Sequence, residues 1–161
     1  MKKKELIYIQ QQLRFQNVSE IGIHYISKGS KIKMTDSNIV YKRLFDWWNN
    51  TINITESFAV MLLNRVNNEI GIFELSRGGM AGTVIDVRLI CVVALLSGAS
   101  GIILCHNHPS GNLKPSEADI KITTKTKESL SIMDISLLDH LIITPEKDQY
   151  FSFTDNNLIE Y

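Results

Sequence analysis

The sequence predicts an α/β or α+β domain in which helices flank one mixed β-sheet. Apolar runs of strand length alternate along the chain with longer segments of helical patterning, so strands and helices interleave. Hydrophobic residues make up 44% of the 161 residues, which is enough for one core and excludes a disordered chain. The chain shows no internal repeat and no low-complexity stretch that would divide it further.

The first part of the chain is predicted to be an extension that packs on or precedes a compact domain. We assign residues 1–34 to this extension, with a strand at 20–27, and residues 35–161 to the domain. Thr35-Asp36-Ser37 is typical of the residues that cap the beginning of a helix, so a helix is predicted from there to about residue 50.

Two strands are predicted next, at residues 57–64 and 69–76, because both runs are apolar and an asparagine-rich turn separates them. The glycines between residues 78 and 82 predict a flexible loop that a substrate or another backbone segment can approach closely. The apolar run that follows predicts a buried helix at 86–98. The remaining predicted elements are a strand at 101–105, a helix at 116–130, and strands at 135–143 and 150–154.

Two histidines stand at the end of the strand predicted at 101–105. Side chains alternate along a strand, so His106 and His108 point to the same side if the backbone stays extended. Pro109 favours this, because the residue before a proline avoids the helical region. After a turn, Asp119 lies in the first turn of the next helix and can face the strand end. These three side chains can hold a zinc ion and leave its fourth position open to water, which is typical of catalytic zinc.

Each of these features has a plainer structural interpretation. A single histidine at the end of a strand is usually structural or exposed, and two of them at this spacing can arise by chance. Ser116 and Asp119, three residues apart, are also typical of a helix capping box. Only the joint occurrence of both histidines, the two prolines and the aspartate favours a metal site.

The same residues resemble the signature of a known family. His106-x-His108-Pro109, followed by Ser116-x-x-Asp119, resembles the motif of the JAMM (MPN-type) metalloproteases. The longer string, in which Ser110-Gly111 follows Pro109 and Pro115 precedes Ser116, resembles the RadC branch of that family.

The similarity extends beyond the motif, over roughly residues 50–155. Gly82-Thr83 and Leu137-Leu138-Asp139-His140 are similar to segments that flank the motif in RadC proteins. The resemblance implies a cytidine-deaminase-like, MPN-type core, with a curved mixed sheet and zinc at a strand-to-helix junction. It also implies an amide or isopeptide bond as the substrate.

JAMM enzymes use a glutamate on an upstream strand as a general base, and three candidates precede the histidines here. Glu56 begins an apolar run 50 residues before His106, which matches the family pattern. Glu69 lies beside the asparagine-rich turn and is expected to be solvated, and Glu74 can face solvent from its strand. We therefore favour Glu56, although a surface carboxylate is the usual fate of any glutamate.

The resemblance gives these residues roles in amide hydrolysis. Zinc would activate a water molecule, and Glu56 would take the water proton and pass it to the leaving amine. Ser116 would donate toward the oxyanion of the tetrahedral intermediate. The charge of the metal would keep Asp119 ionised.

Three further residues have competing interpretations. Cys105 points away from His106 by strand alternation, and Cys91 lies in an apolar helix, so both are predicted to be structural free thiols. His140, with Asp139 before it, is either support for a zinc ligand or an ordinary core histidine, and the sequence leaves both open.

The charge balance limits the expected partners. The chain has 17 basic and 17 acidic residues, which speaks against a strongly basic nucleic-acid binder. RadC proteins are commonly labelled DNA repair factors, but we find no helix-hairpin-helix segment in residues 1–50. We expect a peptide or isopeptide-linked protein as the substrate, and no direct DNA contact. No apolar run has the length of a membrane span, no secretory signal is recognisable, and the free cysteines suit the cytoplasm.

Two functions of different class follow from these observations. The first is a zinc-dependent metallopeptidase or isopeptidase, which the full ligand set and a candidate base favour. The alternative is a non-catalytic or regulatory zinc-binding module associated with DNA repair or recombination. A zinc deaminase fits less well, because it would need a Cys-x-x-Cys pair after the first ligand, and the sequence has none.

Overall fold

The structure is a computed structural model that describes residues 32–78 and 85–159, and it places one mixed sheet between helices. The elements in chain order are α1 (Ser37–Trp48), a 3-10 turn (Asn49–Thr51), β1 (Ser57–Leu63), β2 (Glu69–Arg77), α2 (Val87–Ser97), β3 (Gly101–Asn107), α3 (Glu117–Ser131), β4 (Ser136–Ile143) and β5 (Tyr150–Ser152). This arrangement confirms the predicted fold class.

The sheet has the strand order β2-β1-β3-β4-β5. β1 runs antiparallel to both β2 and β3, and β4 runs antiparallel to β5. β3 and β4 are parallel, so α3 forms the crossover between them. The residues that follow β3 and begin α3 therefore meet at one end of the sheet, where the two histidines lie.

Two hydrophobic clusters cover the two faces of the sheet. On one face, α1 packs Leu44 and Trp48 against alternate residues of β1 and β3, such as Met61 and Ile103. On the other face, α2 and α3 pack against the intervening residues, which include Phe58, Val60, Ile102 and Leu104. Since both faces are covered, every residue of β3 is buried, as its nearly continuous apolar sequence predicts.

The predicted helix boundaries are close to those observed, because the caps are local. Asp36 accepts a hydrogen bond from the Ile39 backbone nitrogen and begins α1. Gly98 ends α2 in the left-handed conformation, at a φ of 64°, which glycine adopts without strain. β3 is two residues longer than predicted, since its ladders with β1 and β4 continue to His106 and Asn107.

The prediction of a buried helix at 86–98 was wrong in part. Only a stripe of α2 faces the sheet, where Ile90 and Ala94 are fully buried. Leu89, Val92 and Leu95 lie on the other side and are between 39% and 55% exposed. A sequence that is apolar on all sides of a helix does not reveal that only one side meets the sheet.

Several predictions concern residues outside the described part of the chain: most of the extension at 1–34, its strand at 20–27, and the glycines at 79–82. Where the description begins, Lys33 bridges to Asn68 and Met34 is buried among the α1-side residues. The boundary at residue 34 stays a prediction. Of the helices in the described ranges, none combines the length and apolarity that crossing a membrane requires.

Candidate metal centre

His106 lies near the end of β3, on the face that α2 and α3 cover. Only 1% of its surface is exposed. Phe58, its partner in the β1–β3 register, stacks on the imidazole with 5.6 Å between ring centroids. This packing holds the ring so that Nε2 lies 3.4 Å from Asp119 Oδ1, at the beginning of α3.

His108 reaches the same point from the residue after the strand. Its backbone nitrogen donates to the Ile143 carbonyl, which continues the β3–β4 ladder past Asn107. Its ring Nδ1 lies against the Asn112 carbonyl in the following turn. Because a carbonyl only accepts, Nδ1 carries the ring hydrogen and Nε2 carries a lone pair. That Nε2 lies 2.9 Å from the Nε2 of His106.

Asp119 is oriented by the cap of α3. The Ser116 hydroxyl and the Ser116 backbone nitrogen both donate to Asp119 Oδ2, at 2.6 and 2.7 Å. The Asp119 backbone nitrogen donates in return to Ser116 Oγ at 3.1 Å. The capping box is thus confirmed. It occupies one carboxylate oxygen and leaves Oδ1 facing the histidines.

The three side chains form a group that suits a metal ion. One candidate ligand atom from each of His106, His108 and Asp119 lies within 4.8 Å of the other two. Both His108 Nε2 and Asp119 Oδ1 are acceptors directed at His106 Nε2, and one hydrogen on that nitrogen can satisfy only one of them. A divalent cation satisfies all three, and two imidazoles with one carboxylate suit zinc and related metals. The ligand assignment itself stays a prediction.

Burial keeps the interior histidines neutral. The pKa of His106 is lowered to about 4, chiefly by burial, with Asp119 acting in the opposite direction and His108 adding to the decrease. Burial also lowers the pKa of His140 well below its ordinary value, and the neighbouring His106 lowers it further. Neutral imidazole is the form that binds metals.

The structure shows what His140 contacts, and this residue is both fully buried and in contact with His106. Its Nε2 lies 2.8 Å from His106 Nδ1, so it contacts the ring of a predicted ligand. Asp139 has a different task, because its carboxylate accepts from Ser152 Oγ at 2.6 Å and from the Thr154 backbone nitrogen at 3.0 Å. Asp139 therefore fastens the chain around β5, and its burial raises its pKa.

Of the three candidate glutamates, two are held in ion pairs. The expectation that Glu69 is solvated was wrong, since it is 5% exposed and both of its oxygens accept from Arg43, at 2.7 and 2.8 Å. Glu74 is paired with Arg77 near the surface, at 2.8 and 3.1 Å. In the described ranges no side-chain donor reaches the carboxylate of Glu56.

Glu56 lies at the end of the sheet that carries the histidines. Gly78 donates to its carbonyl at 2.8 Å, one residue before β1 begins. The β1–β3 register pairs Phe58 with His106 at this end of the sheet. From the alternation of side chains along β1, we expect the Glu56 side chain on the face of Phe58. Its role as the base stays a prediction.

Asn107, between the two histidines, fixes the backbone on either side of Glu56. It is fully buried on the α1 face. Its Oδ1 accepts from the backbone nitrogen and hydroxyl of Ser57, at 2.8 and 3.1 Å. Its Nδ2 donates to the carbonyls of Ile52 and Thr55, at 2.6 and 2.9 Å. The strand that carries His106 thereby also holds the segment that carries Glu56.

The cysteines lie away from the centre. Cys105 is fully buried on the α1 face, its thiol donates to the Ala59 carbonyl, and burial raises its pKa. Cys91 is half-buried against the core on the α2 side. Both are free, as predicted.

A family model described as a RadC-like JAB domain matches residues 32–158, most of the chain. The chain belongs to this family. A protein named UPF0758 from Flavobacterium johnsoniae is similar to it, with 52% identity over 103 residues, which cover 64% of this chain and 44% of the relative. A second UPF0758 protein, from Porphyromonas gingivalis, is 40% identical over 126 residues, which cover 78% of this chain and 54% of the relative. The chain spans about half the length of the curated relatives it matches.

Sequence reasoning missed three residues that build the centre of this RadC-like domain. Thr123 contacts His140, Asn107 holds the Glu56 segment, and the Asn112 carbonyl sets the ring hydrogen of His108. One signal was available: Thr123 stands four residues after Asp119 and so shares its face of α3. The other two contacts depend on how the loops fold and leave no pattern in the sequence.

Proposed function

We propose that this RadC-like domain is a zinc-dependent hydrolase of amide bonds, with a peptide or an isopeptide-linked protein as its substrate. The observation that carries the proposal is the convergence of His108 Nε2 and Asp119 Oδ1 on His106 Nε2. Three protein ligands with an open fourth position are typical of catalytic zinc, whereas structural zinc sites are closed by four.

A bound zinc ion would lower the pKa of a coordinated water toward neutrality and polarise the carbonyl of the substrate. Glu56 takes the proton of the attacking water and returns it to the leaving amine. Its carboxylate suits this role because, unlike those of Glu69 and Glu74, it is not held by an arginine of the described residues. Ser116 donates to the developing oxyanion. To do so, its hydroxyl hydrogen rotates away from Asp119 Oδ2, to which it donates in this structure.

Metal analysis of the full chain tests the first half of the proposal. After purification with zinc and removal of excess metal, we expect about one zinc per chain. Asp119→Ala should lose the metal and remain folded. Glu117→Ala is the matched control. Glu117 is an acidic residue of the same helix turn, and its carboxylate makes an exposed ion pair with Lys121. Absence of zinc from the unaltered chain, or equal zinc in Asp119→Ala, would refute the site.

Cleavage of a peptide library and of isopeptide-linked model substrates tests the second half. Glu56→Gln keeps the size and polarity of the side chain and should lower the rate by about 100-fold or more while zinc stays bound. Glu74→Gln is the control and should cleave at the unaltered rate. Zinc binding without any cleavage by the unaltered chain would favour the alternative, a regulatory zinc-binding module.

A further inference from the structure

Three hydrogen bonds lead from His106 away from the metal centre and return to Asp119. His106 Nδ1 contacts His140 Nε2 at 2.8 Å, and His140 Nδ1 contacts Thr123 Oγ1 at 2.6 Å. Thr123 Oγ1 in turn contacts the backbone carbonyl of Asp119 at 2.6 Å. The three side chains are at most 2% exposed, so water does not replace these contacts. The series begins at one predicted ligand and ends at the backbone of another.

The last contact gives the series a direction. The Asp119 carbonyl has no hydrogen, so the single hydrogen of the Thr123 hydroxyl lies between these two oxygens. Thr123 Oγ1 then accepts from Nδ1 of the neutral His140, and His140 Nε2 is left as an acceptor. His106 therefore donates from Nδ1 to His140. Its Nε2, which faces His108 and Asp119 Oδ1, carries a lone pair.

The opposite direction sets acceptors against each other at a shorter distance, with or without a metal: two oxygens at 2.6 Å, whereas the acceptors that face His106 Nε2 in the first direction are 2.9 and 3.4 Å away. Reversing every hydrogen bond would put a hydrogen on His106 Nε2, where it would block that nitrogen as a ligand. It would also leave the Thr123 and Asp119 oxygens 2.6 Å apart with no hydrogen between them. In the first direction, a bound cation would interact favourably with all the acceptors that meet at His106 Nε2. In the second direction, no group of the described residues supplies a hydrogen between the Thr123 and Asp119 oxygens.

We propose that Thr123 is a positioning residue which, through His140, holds His106 in the tautomer that has its lone pair on Nε2. This inference rests on the proposed function only in that the lone pair serves a metal. Ligating histidines usually donate their other nitrogen to a carbonyl or carboxylate, which can only accept. His140 can donate or accept from either nitrogen, so Thr123 and the Asp119 carbonyl supply the missing direction. The same contacts link β3 to α3, the elements that carry His106 and Asp119.

The tautomers can be measured without metal. Long-range proton–nitrogen correlation spectra of the chelator-treated full chain distinguish a hydrogen on Nδ1 from one on Nε2. We expect His106 and His140 to carry it on Nδ1, and Thr123→Val to change that distribution. A hydrogen on His106 Nε2 in the unaltered chain, or spectra of Thr123→Val that match it, would overturn the proposal.

Zinc affinity is the second readout. Thr123→Val is nearly isosteric and should raise the zinc dissociation constant about 10- to 100-fold. Competition with a chromophoric chelator measures this constant. Thr123→Ser keeps the hydroxyl and should restore affinity to within a few-fold. Thr124→Val is the matched control, because the neighbouring Thr124 hydroxyl also donates to a carbonyl four residues earlier, at Ile120, but it is exposed on the helix. Its affinity should be unchanged.

The outcomes separate the two proposals. If the unaltered chain binds no zinc, the proposed function fails, and the tautomers still test the role of Thr123. If the unaltered chain binds zinc and Thr123→Val binds it equally well, Thr123 has no positioning role while the metal site stands.

Discussion

His106 and Asn107 are adjacent, fully buried polar residues of β3 that serve opposite faces of the sheet. Asn107 faces α1, and both ends of its amide are engaged, by Ser57 on the oxygen and by two carbonyls on the nitrogen. His106 faces α3, where Nδ1 contacts His140 and Nε2 meets two acceptors. Both ends of the amide have partners within the protein, whereas the two acceptors at His106 Nε2 cannot both be satisfied by one hydrogen.

The glutamates show the same contrast. Glu69 is buried and both of its oxygens accept from Arg43, while the carboxylate of Glu56 has no donor among the described residues. Polar groups that the protein satisfies completely hold the fold, because leaving a buried group without a partner costs free energy. Groups that the protein leaves incomplete are the ones with capacity to bind or react. Four predictions test this contrast, from the largest effect to the smallest.

Replacing the complete amide should be the most damaging change. In Asn107→Asp the carboxylate oxygen that replaces Nδ2 faces the carbonyls of Ile52 and Thr55 without a hydrogen to share. The free energy of unfolding should fall by about 3–5 kcal/mol, measured by urea denaturation. Asn112→Asp is the control, since Asn112 is exposed and its Oδ1 accepts from the Lys114 nitrogen, as a carboxylate also would. Equal midpoints for the two variants would contradict the contrast.

Acidification should weaken the metal-free protein through the incomplete imidazole. The folded-state pKa of His106, about 4, lies below the ordinary value of 6.5, so the unfolded chain binds the proton more readily. Stability is therefore fully present above pH 6.5 and is lost as the pH falls toward 4. The loss due to His106 is on the order of 3 kcal/mol, and His140 adds to it in the same direction. Thermal unfolding with chelator between pH 7.5 and 4 measures this, and a constant midpoint would refute it.

The two paired glutamates sharpen the contrast between buried and exposed contacts. Glu69→Gln weakens a buried bidentate pair and should lower the free energy of unfolding by about 1–3 kcal/mol. Glu74→Gln affects a pair near the surface and should change it by less than about 0.5 kcal/mol. Chemical denaturation measures both. Neither variant should lose zinc, and a loss of zinc in Glu69→Gln alone would mean that this glutamate serves the metal centre.

Removing the cap of α3 should have a modest effect on stability. Ser116→Ala removes the cap of α3 and should cost about 1 kcal/mol, which thermal unfolding can measure. Ser129→Ala is the control, because the Ser129 hydroxyl donates to a carbonyl within the same helix and caps nothing. If Ser116 also donates to the oxyanion, the cleavage rate falls while zinc affinity changes little. A large loss of zinc affinity would instead make the orientation of Asp119 its main role.

Much of the fold was predictable because the signals are local. The N-cap Asp36, the capping box of Ser116 and Asp119, and the alternation along β3 each act within a few residues. Glu69 was misjudged because its partner Arg43 lies 26 residues earlier on α1, and a neighbouring turn says nothing about such a contact. The exposed side of α2 was missed because the sequence there is apolar all round.

The sequence by itself determined which donor types stand at the end of β3 and at the start of α3, since spacing and caps follow from backbone periodicity. Only the tertiary structure decided which of them meet. It turned Asp139 and His140 to opposite faces and brought His140 and Thr123 together across 17 residues. It paired Glu69 with Arg43 and left the Glu56 carboxylate without a donor among the described residues. Hydrogen-bond direction and completeness depend on contacts between elements distant in the chain, and these decide where a polar group is structural and where it stays available for chemistry.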